Sequence, residues 1–253
     1  MNELLAAMPA TQPLPATGTI DLWWLPYIPG CDLHELARQT LVSEELLRAE
    51  RFKVEHARQA FIFYRVALRS CLARYAGIEP REVPLGVGPF GKPLWERSMN
   101  GVQLEFNLSH TSTCGLLAVA SSGEVGVDVE QLDSRTNVTL LAREILSAAE
   151  KSYFAALAES EQAAFLLQTW TCKEAFLKAR GLGLAVSLHD ITIKSGREIM
   201  VANDPQEDGS GWQLASWSPQ LNLFAAVAYR GEVRRIHELD AASLLRQLFQ
   251  VHA

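Results

Sequence analysis

Val125-Gly126-Val127-Asp128-Val129-Glu130 sets a β-branched apolar residue at every second position. A period of two is that of a strand with one face in a core, so the valines point one way and Gly126, Asp128 and Glu130 the other. On such a strand Asp128 and Glu130 stand with Cα atoms about 7 Å apart, close enough for both carboxylates to reach one divalent ion.

Working towards the N-terminus, the Ser121-Ser122-Gly123 turn separates this strand from two more, an apolar run over 115–120 and the alternation of Val102, Leu104, Phe106 and Leu108. Before them, apolar residues between Phe61 and Tyr75 recur at spacings of three and four up to Gly77, predicting a core-facing helix with arginines on its outer side. Ser43 opens another helical stretch, and residues 20–25 form a first strand ended by Pro26 and the Pro29-Gly30 turn.

Towards the C-terminus, Ser147-Ala148-Ala149-Glu150 is a capping box that starts a helix, which gives Glu150 a sufficient structural reason. A second helix runs through Trp170 to Ala179, where Gly181 and Gly183 supply the stop. Strands at 191–193 and 223–229 and a helix over 241–249 complete the chain. Strand, helices and strands thus occur twice, which predicts two α+β halves rather than a doubly wound sheet. The seam falls near Gly123, dividing the chain into residues 1–123 and residues 124–253, the latter carrying the metal site and the C-terminal helix.

Composition bounds the function. The 253 residues are 48% hydrophobic and 21% charged, those of a compact folded protein. A net charge of −6 disfavours a general nucleic-acid binder. Basic residues nevertheless outnumber acidic ones from Arg48 to Arg81, a surplus that solvated helix faces explain without a partner. Cys31, Cys71, Cys114 and Cys172 lack the spacing of a zinc or redox site and read as reduced thiols. No apolar stretch is long enough to span a membrane and no targeting leader is evident, so a cytoplasmic protein is expected.

The second long helix carries more chemistry. Glu174, four residues after Trp170, interrupts an apolar stripe, and Lys178 follows one turn later on the same face. Asp128, Glu130 and Glu174 would repel one another if they converged, unless a cation sat among them, and oxygen donors select Mg²⁺ or Mn²⁺ over zinc. Any one of these acids, or a Glu-Lys pair on a helix, has an ordinary structural reading. Their combination points to a metal and a pyrophosphate.

Gly126-Val-Asp128-Val-Glu130, then 39 residues, then Trp170-Thr-Cys-Lys173-Glu174-Ala-Phe-Leu-Lys178, resembles the paired signature of the surfactin-type (Sfp-type) 4′-phosphopantetheinyl transferases. Gly91-Lys92-Pro93 and Phe106-Asn107-Leu108-Ser109-His110 resemble that family's upstream motifs in order and spacing, and Arg51-Phe52 with Arg58 resembles its N-terminal one. The likeness covers about residues 45 to 195.

It implies an intramolecular pseudo-dimer of two similar α+β halves, acting as a monomer with the cofactor between them. It implies a transfer of the phosphopantetheine arm of coenzyme A to a serine of an acyl or peptidyl carrier protein, releasing 3′,5′-ADP. By the same resemblance Asp128, Glu130 and Glu174 hold Mg²⁺, and Glu174 takes the serine proton. Lys178, His110, Ser109 and Lys92, the last in an exposed turn, meet the coenzyme A phosphates. Arg51 and Arg58 reach its 3′-phosphate, a place Arg48 fits equally well, while the remaining arginines of 48–81 steer an acidic carrier. Lys173 points about 100° away from Glu174 and serves the other rim of the cleft. Trp170 and Phe176 read as core anchors, and Cys172 has no catalytic part. Two rival readings stay open on the residues alone: a Mg²⁺-dependent phosphodiester hydrolase attacking with water, and a carrier-binding module without catalysis.

Overall fold

The computed structural model describes residues 11–88, 91–98, 100–133, 136–181, 186–194, 198–201, 211–233 and 235–249. Gly183, expected to help stop the second long helix, lies outside them. The first part of the chain forms β1 (Thr19–Pro26), α1 (His34–Thr40), α2 (Ser43–Glu50), α3 (Glu55–Ala76), a small hairpin of β2 (Leu85–Val87) and β3 (Pro93–Trp95), then β4 (Glu105–His110) and β5 (Cys114–Ala120). The second forms β6 (Val125–Gln131), α4 (Val138–Ile145), α5 (Ala148–Ala156), α6 (Glu159–Arg180), β7 (Ile191–Lys194), β8 (Glu198–Val201), β9 (Trp212–Gln220) and β10 (Leu223–Arg230). The chain then returns through β11 (Arg235–Asp240) and α7 (Ala242–Leu248).

Among the described residues the two larger sheets are ordered β11-β1-β5-β4 and β6-β10-β9, beside the two-stranded pairs β2-β3 and β7-β8. They pack face to face because each strand alternates which core it serves. Ile20, Leu22, Leu116 and Ala118 meet Val125, Val127, Val129 and Val227 between the sheets. The intervening Trp23, Leu25, Leu117 and Val119 turn outward onto α3 and α7. On the far side, Ala226 and Ala228 pack under Ala175, Phe176 and Ala179 of α6. The layers run helix, sheet, sheet, helix, and each sheet is covered by a 22-residue helix, α3 or α6, ended by a left-handed glycine, Gly77 (φ 61°) or Gly181 (φ 65°). This is the two-halved α+β architecture expected, a pseudo-dimer within one chain.

The ends of the chain depart from expectation. Residues 235–249 were assigned to the second half, yet β11 runs parallel to β1 in the first half's sheet, with Asp21 opposite His237. Leu244, Leu245 and Phe249 then enter the first core, where Phe249 stacks on Phe63. β1 presents a free sheet edge that only a further strand can satisfy, and the strand that follows β10 is the one that does so.

Two charged side chains are also misplaced by the sequence reading. Arg69 of α3 does not face outward: it is 1% exposed. Its Nε donates to Glu45 at 2.7 Å and its Nη1 to the carbonyls of Pro80 and Val83, each at 3.0 Å. Arg65 also turns to Glu45, at 3.6 Å, and Arg81 donates to the Arg38 carbonyl. Those three arginines therefore fasten α1, α2, α3 and the turn after α3. Lys173 does not serve a cleft rim but is fully buried, bonded to Glu150 and to the carbonyls of Ile145 at 2.8 Å and Leu188 at 3.0 Å. Burial holds its ammonium below the usual lysine range, and the Glu150 charge partly offsets this. Glu150 keeps its capping role, accepting from Ser147 N at 2.8 Å, and also accepts from Ile193 N at 2.8 Å. One carboxylate and one ammonium thereby tie together α4, α5, α6 and β7.

Candidate active site

The site begins with the close seating of α6 on β6. Gly126 lies where the helix crosses the strand, and a Cβ there would stand 2.2 Å from the Ala175 carbonyl oxygen and 2.3 Å from the Ala179 nitrogen. Only glycine admits the helix at this distance. Two residues further along the same face, Asp128 therefore faces Lys178, whose Nζ bonds its Oδ1. Lys178 does not spend itself on Glu174, its neighbour one helical turn back.

The first half supplies the third member. On β4, Phe106 enters the outer core while Asn107 and Ser109 point towards the second half. Asn107 Oδ1 accepts from Val127 N at 2.8 Å, which stitches β4 to β6. Ser109 Oγ then donates to Asp128 Oδ1 at 2.8 Å and accepts from Lys178 Nζ at 3.0 Å. Serine, aspartate and lysine from three elements close into one hydrogen-bonded cluster across the two halves.

Asp128 is 1% exposed, and its other oxygen, Oδ2, is buried with no hydrogen-bond partner. A buried carboxylate oxygen left alone is costly, on the order of 1–3 kcal/mol or more for a charged group. Glu130 and Glu174 flank it half-buried. Burial, followed by the charge of Asp128, raises Glu130 to about 7. The same two causes, in the same order, raise Glu174, opposed by Lys178 and by a hydrogen bond from Trp170. Trp170, expected only in the core, is half-buried against α4 and also steadies this acid. Phe176 is fully buried as expected. Among the described residues, no three acids, histidines or cysteines stand close enough to hold a metal as they are placed.

His110, after Ser109, faces the opposite side of β4 and stacks on Tyr64 of α3, ring centroids 4.2 Å apart and planes 12° from parallel. Desolvation of the stacked ring, with Lys178 nearby, holds its pKa below the usual histidine value. Tyr64 was not singled out from the sequence. A tyrosine in a helical apolar stripe carries no signal beyond core.

Lys92 is not in an exposed turn. It is half-buried, with Nζ 3.3 Å from both the Val125 and Ala179 carbonyls, where it caps α6 at the negative end of the helix dipole. Arg51 is exposed, and Arg58 is exposed and paired with Glu55 at 2.7 Å. Arg48 instead lies over the Phe61 ring at 5.3 Å. None of Arg48, Arg51 and Arg58 joins the Asp128 cluster through a described contact. Arg58 is six residues before Tyr64 on α3, about 9 Å along the axis. A cavity lined by Glu150, Phe165, Thr169 and Cys172 lies on the face of α6 turned away from Glu174 and is separate from this cluster.

Comparison with known proteins bears on these residues. Residues 124–228 match the 4′-phosphopantetheinyl transferase superfamily, and residues 26–122 match the family described as 4′-phosphopantetheinyl transferase, N-terminal. The 4′-phosphopantetheinyl transferase HetI of Nostoc sp. is 34% identical over 84% of this chain and 88% of its own length. The slr0495 protein of Synechocystis sp., named as a candidate 4′-phosphopantetheinyl transferase, is 31% identical over 76% and 75%. The crystal structure of Thermotoga maritima holo-[acyl-carrier-protein] synthase superposes with a TM-score of 0.35 at 24% identity, over 43% of this chain and 63% of that one.

Proposed function

The chain belongs to the 4′-phosphopantetheinyl transferase superfamily, and from that premise we propose that the Ser109, Asp128 and Lys178 cluster is the centre at which it moves the phosphopantetheine arm of coenzyme A. Coenzyme A-dependent transfer is the activity of the family, and its acceptors are carrier proteins. The surfactin-type pattern of motifs makes an acyl or peptidyl carrier serine the acceptor for this chain, acting as a monomer.

The observation that carries the assignment is the unpartnered, buried Oδ2 of Asp128 beside two acids that burial and the Asp128 charge push above the usual carboxylate range. Such oxygens fit a hard divalent cation, and Asp128, Glu130 and Glu174 would hold Mg²⁺ or Mn²⁺ once the two glutamates are ionised. When bound, the cation would supply charge neutralisation at the pyrophosphate. Lys178, 32% exposed at its side chain, would turn its third N–H to the phosphates, and His110, its Nδ1 turned to the Thr111 carbonyl, would take up a second proton beside the phosphate charge and donate from Nε2 to the same group. Glu174 would accept the proton of the carrier serine. The serine oxygen forms the new bond to the β-phosphorus as the bond to 3′,5′-ADP breaks. Lys92, committed to two carbonyls, would reach a phosphate only by giving up that cap. Arg51 and Arg58, on the exposed approach, would take the 3′-phosphate.

Intact-protein mass spectrometry of an apo carrier domain incubated with coenzyme A, Mg²⁺ and the protein tests this. One phosphopantetheine arm added to the carrier, lost with EDTA and in Asp128→Ala, is expected. Coenzyme A cleaved with no carrier modified would replace the transferase reading with a hydrolase.

A further inference from the structure

We propose that Tyr64 is a positioning residue: its ring is the platform that holds the His110 imidazole flat, with the outward edge free for a coenzyme A phosphate. The inference rests on the phosphate role given to His110 above and concerns what makes that role reliable.

His110 has little else to orient it. Its one described hydrogen bond is a long contact from Nδ1 to the Thr111 carbonyl, 3.4 Å, and the residue is otherwise exposed. The nearly parallel stack at 4.2 Å is its closest support. A histidine free to rotate would sample orientations in which neither ring nitrogen meets the ligand, and a fixed plane removes that loss.

Both halves of the contact are built for the ring. Tyr64 is 1% exposed, and its neighbours Phe63 and Tyr27 pack against it at ring separations of 5.1 and 6.0 Å. Gly115 is the residue paired with His110 across β4 and β5. A Cβ on Gly115 would stand 2.7 Å from Tyr64 Cε1 and 3.0 Å from Cδ1, so the glycine vacates the space the ring occupies. The hydroxyl, by contrast, does nothing visible: it is buried with no hydrogen-bond partner. A buried hydroxyl without a partner destabilises. The part of Tyr64 that the site uses is therefore the aromatic face.

The experiment compares Tyr64→Phe, Tyr64→Leu, His110→Ala and the Tyr64→Leu/His110→Ala double variant in the full chain. It measures kcat and the KM for coenzyme A at saturating carrier, and a thermal melt for each. Tyr64→Phe should keep kcat/KM within about twofold and melt no lower than wild type, since the idle hydroxyl is what it removes. Tyr64→Leu should lose about 2- to 13-fold in kcat/KM, the range an aromatic pair supports. The double variant should fall no further than His110→Ala alone. If Tyr64→Leu does not fold, Gly115→Ala, which displaces the ring, takes its place in the same cycle. Additive losses would overturn the inference and leave the function standing, as would a Tyr64→Phe variant as impaired as Tyr64→Leu. His110→Ala with wild-type kcat and KM would remove the phosphate role itself, and the inference with it.

Discussion

Replacing Gly126 by alanine adds one methyl group between α6 and β6, and the geometry says where it lands. The new carbon would be 2.2 Å from the Ala175 oxygen, 2.3 Å from the Ala179 nitrogen and 2.8 Å from the Ala179 Cα. All three are backbone atoms, so no side chain can swing aside. Ordinary contact begins near 3.4 Å, so the helix must retreat by about 1 Å. Glu174 and Lys178 ride on that helix, and Asp128 stays on the strand. Overpacking of this kind costs about 1–3 kcal/mol, which in a chain of this size is a fall in Tm of about 2–12 °C. A displacement of about 1 Å at the reacting groups lowers the rate by about 100-fold. Thermal denaturation and the rate of carrier modification, followed by intact mass, read the two effects separately. A Gly126→Ala enzyme that is folded and within threefold of wild-type rate would refute the claim that close seating of the helix sets the site.

The remaining predictions concern charge. Glu130 is raised from 4.5 to about 7, so its proton stabilises the metal-free fold fully below about 4.5, and this contribution is lost as pH rises through about 7. Mg²⁺ affinity should run the other way, rising up to about tenfold per pH unit towards 7 and levelling above, because binding requires the carboxylate; titration calorimetry giving a flat affinity across that range would contradict it. Lys173→Met should destabilise by about 3–5 kcal/mol in urea unfolding by leaving the buried Glu150 without its cation. Adding Glu150→Gln should restore part of this, and a loss below about 1 kcal/mol would show the pair to be incidental. Arg69→Lys should cost about 1–3 kcal/mol despite keeping the charge, because an ammonium cannot serve Glu45 and the two carbonyls with the geometry of the guanidinium fork. An unchanged melting temperature would contradict that account.

What the sequence made legible follows periodicity and local punctuation. β1, β4, β5, β6 and β10 alternate or run apolar within a few residues, and α3 and α6 end at glycines, so each is readable in isolation. β9 and β11 are not: Trp212–Gln220 carries Ser216, Ser218 and Pro219 with a register irregularity near its end, and Arg235–Asp240 is largely polar. Such strands are specified by the edge they join rather than by their own composition. Motif spacing and strand period put Asp128, Lys178 and Ser109 on faces that meet in the structure. Lys173 and Arg69 were misread because a lone charge argues for the surface, and the acids that compensate them, Glu150 and Glu45, lie 23 and 24 residues away. Tyr64 was invisible for a related reason. Its meaning lies in Gly115 and His110, and neither is a neighbour in the chain.

The parallel pairing of β11 with β1 gives assembly of this protein an order that its two-halved plan conceals. Asp21 and His237 are 216 residues apart, so during synthesis the first sheet waits with an open edge until the entire second half has emerged. The second half, bracketed between two parts of the first, has its own sheet and its own helix, and the inner face of that sheet packs on β1 and β5 rather than on β11. The portion made first is thus completed last, and until then β1 is the strand most exposed to unwanted pairing with another chain.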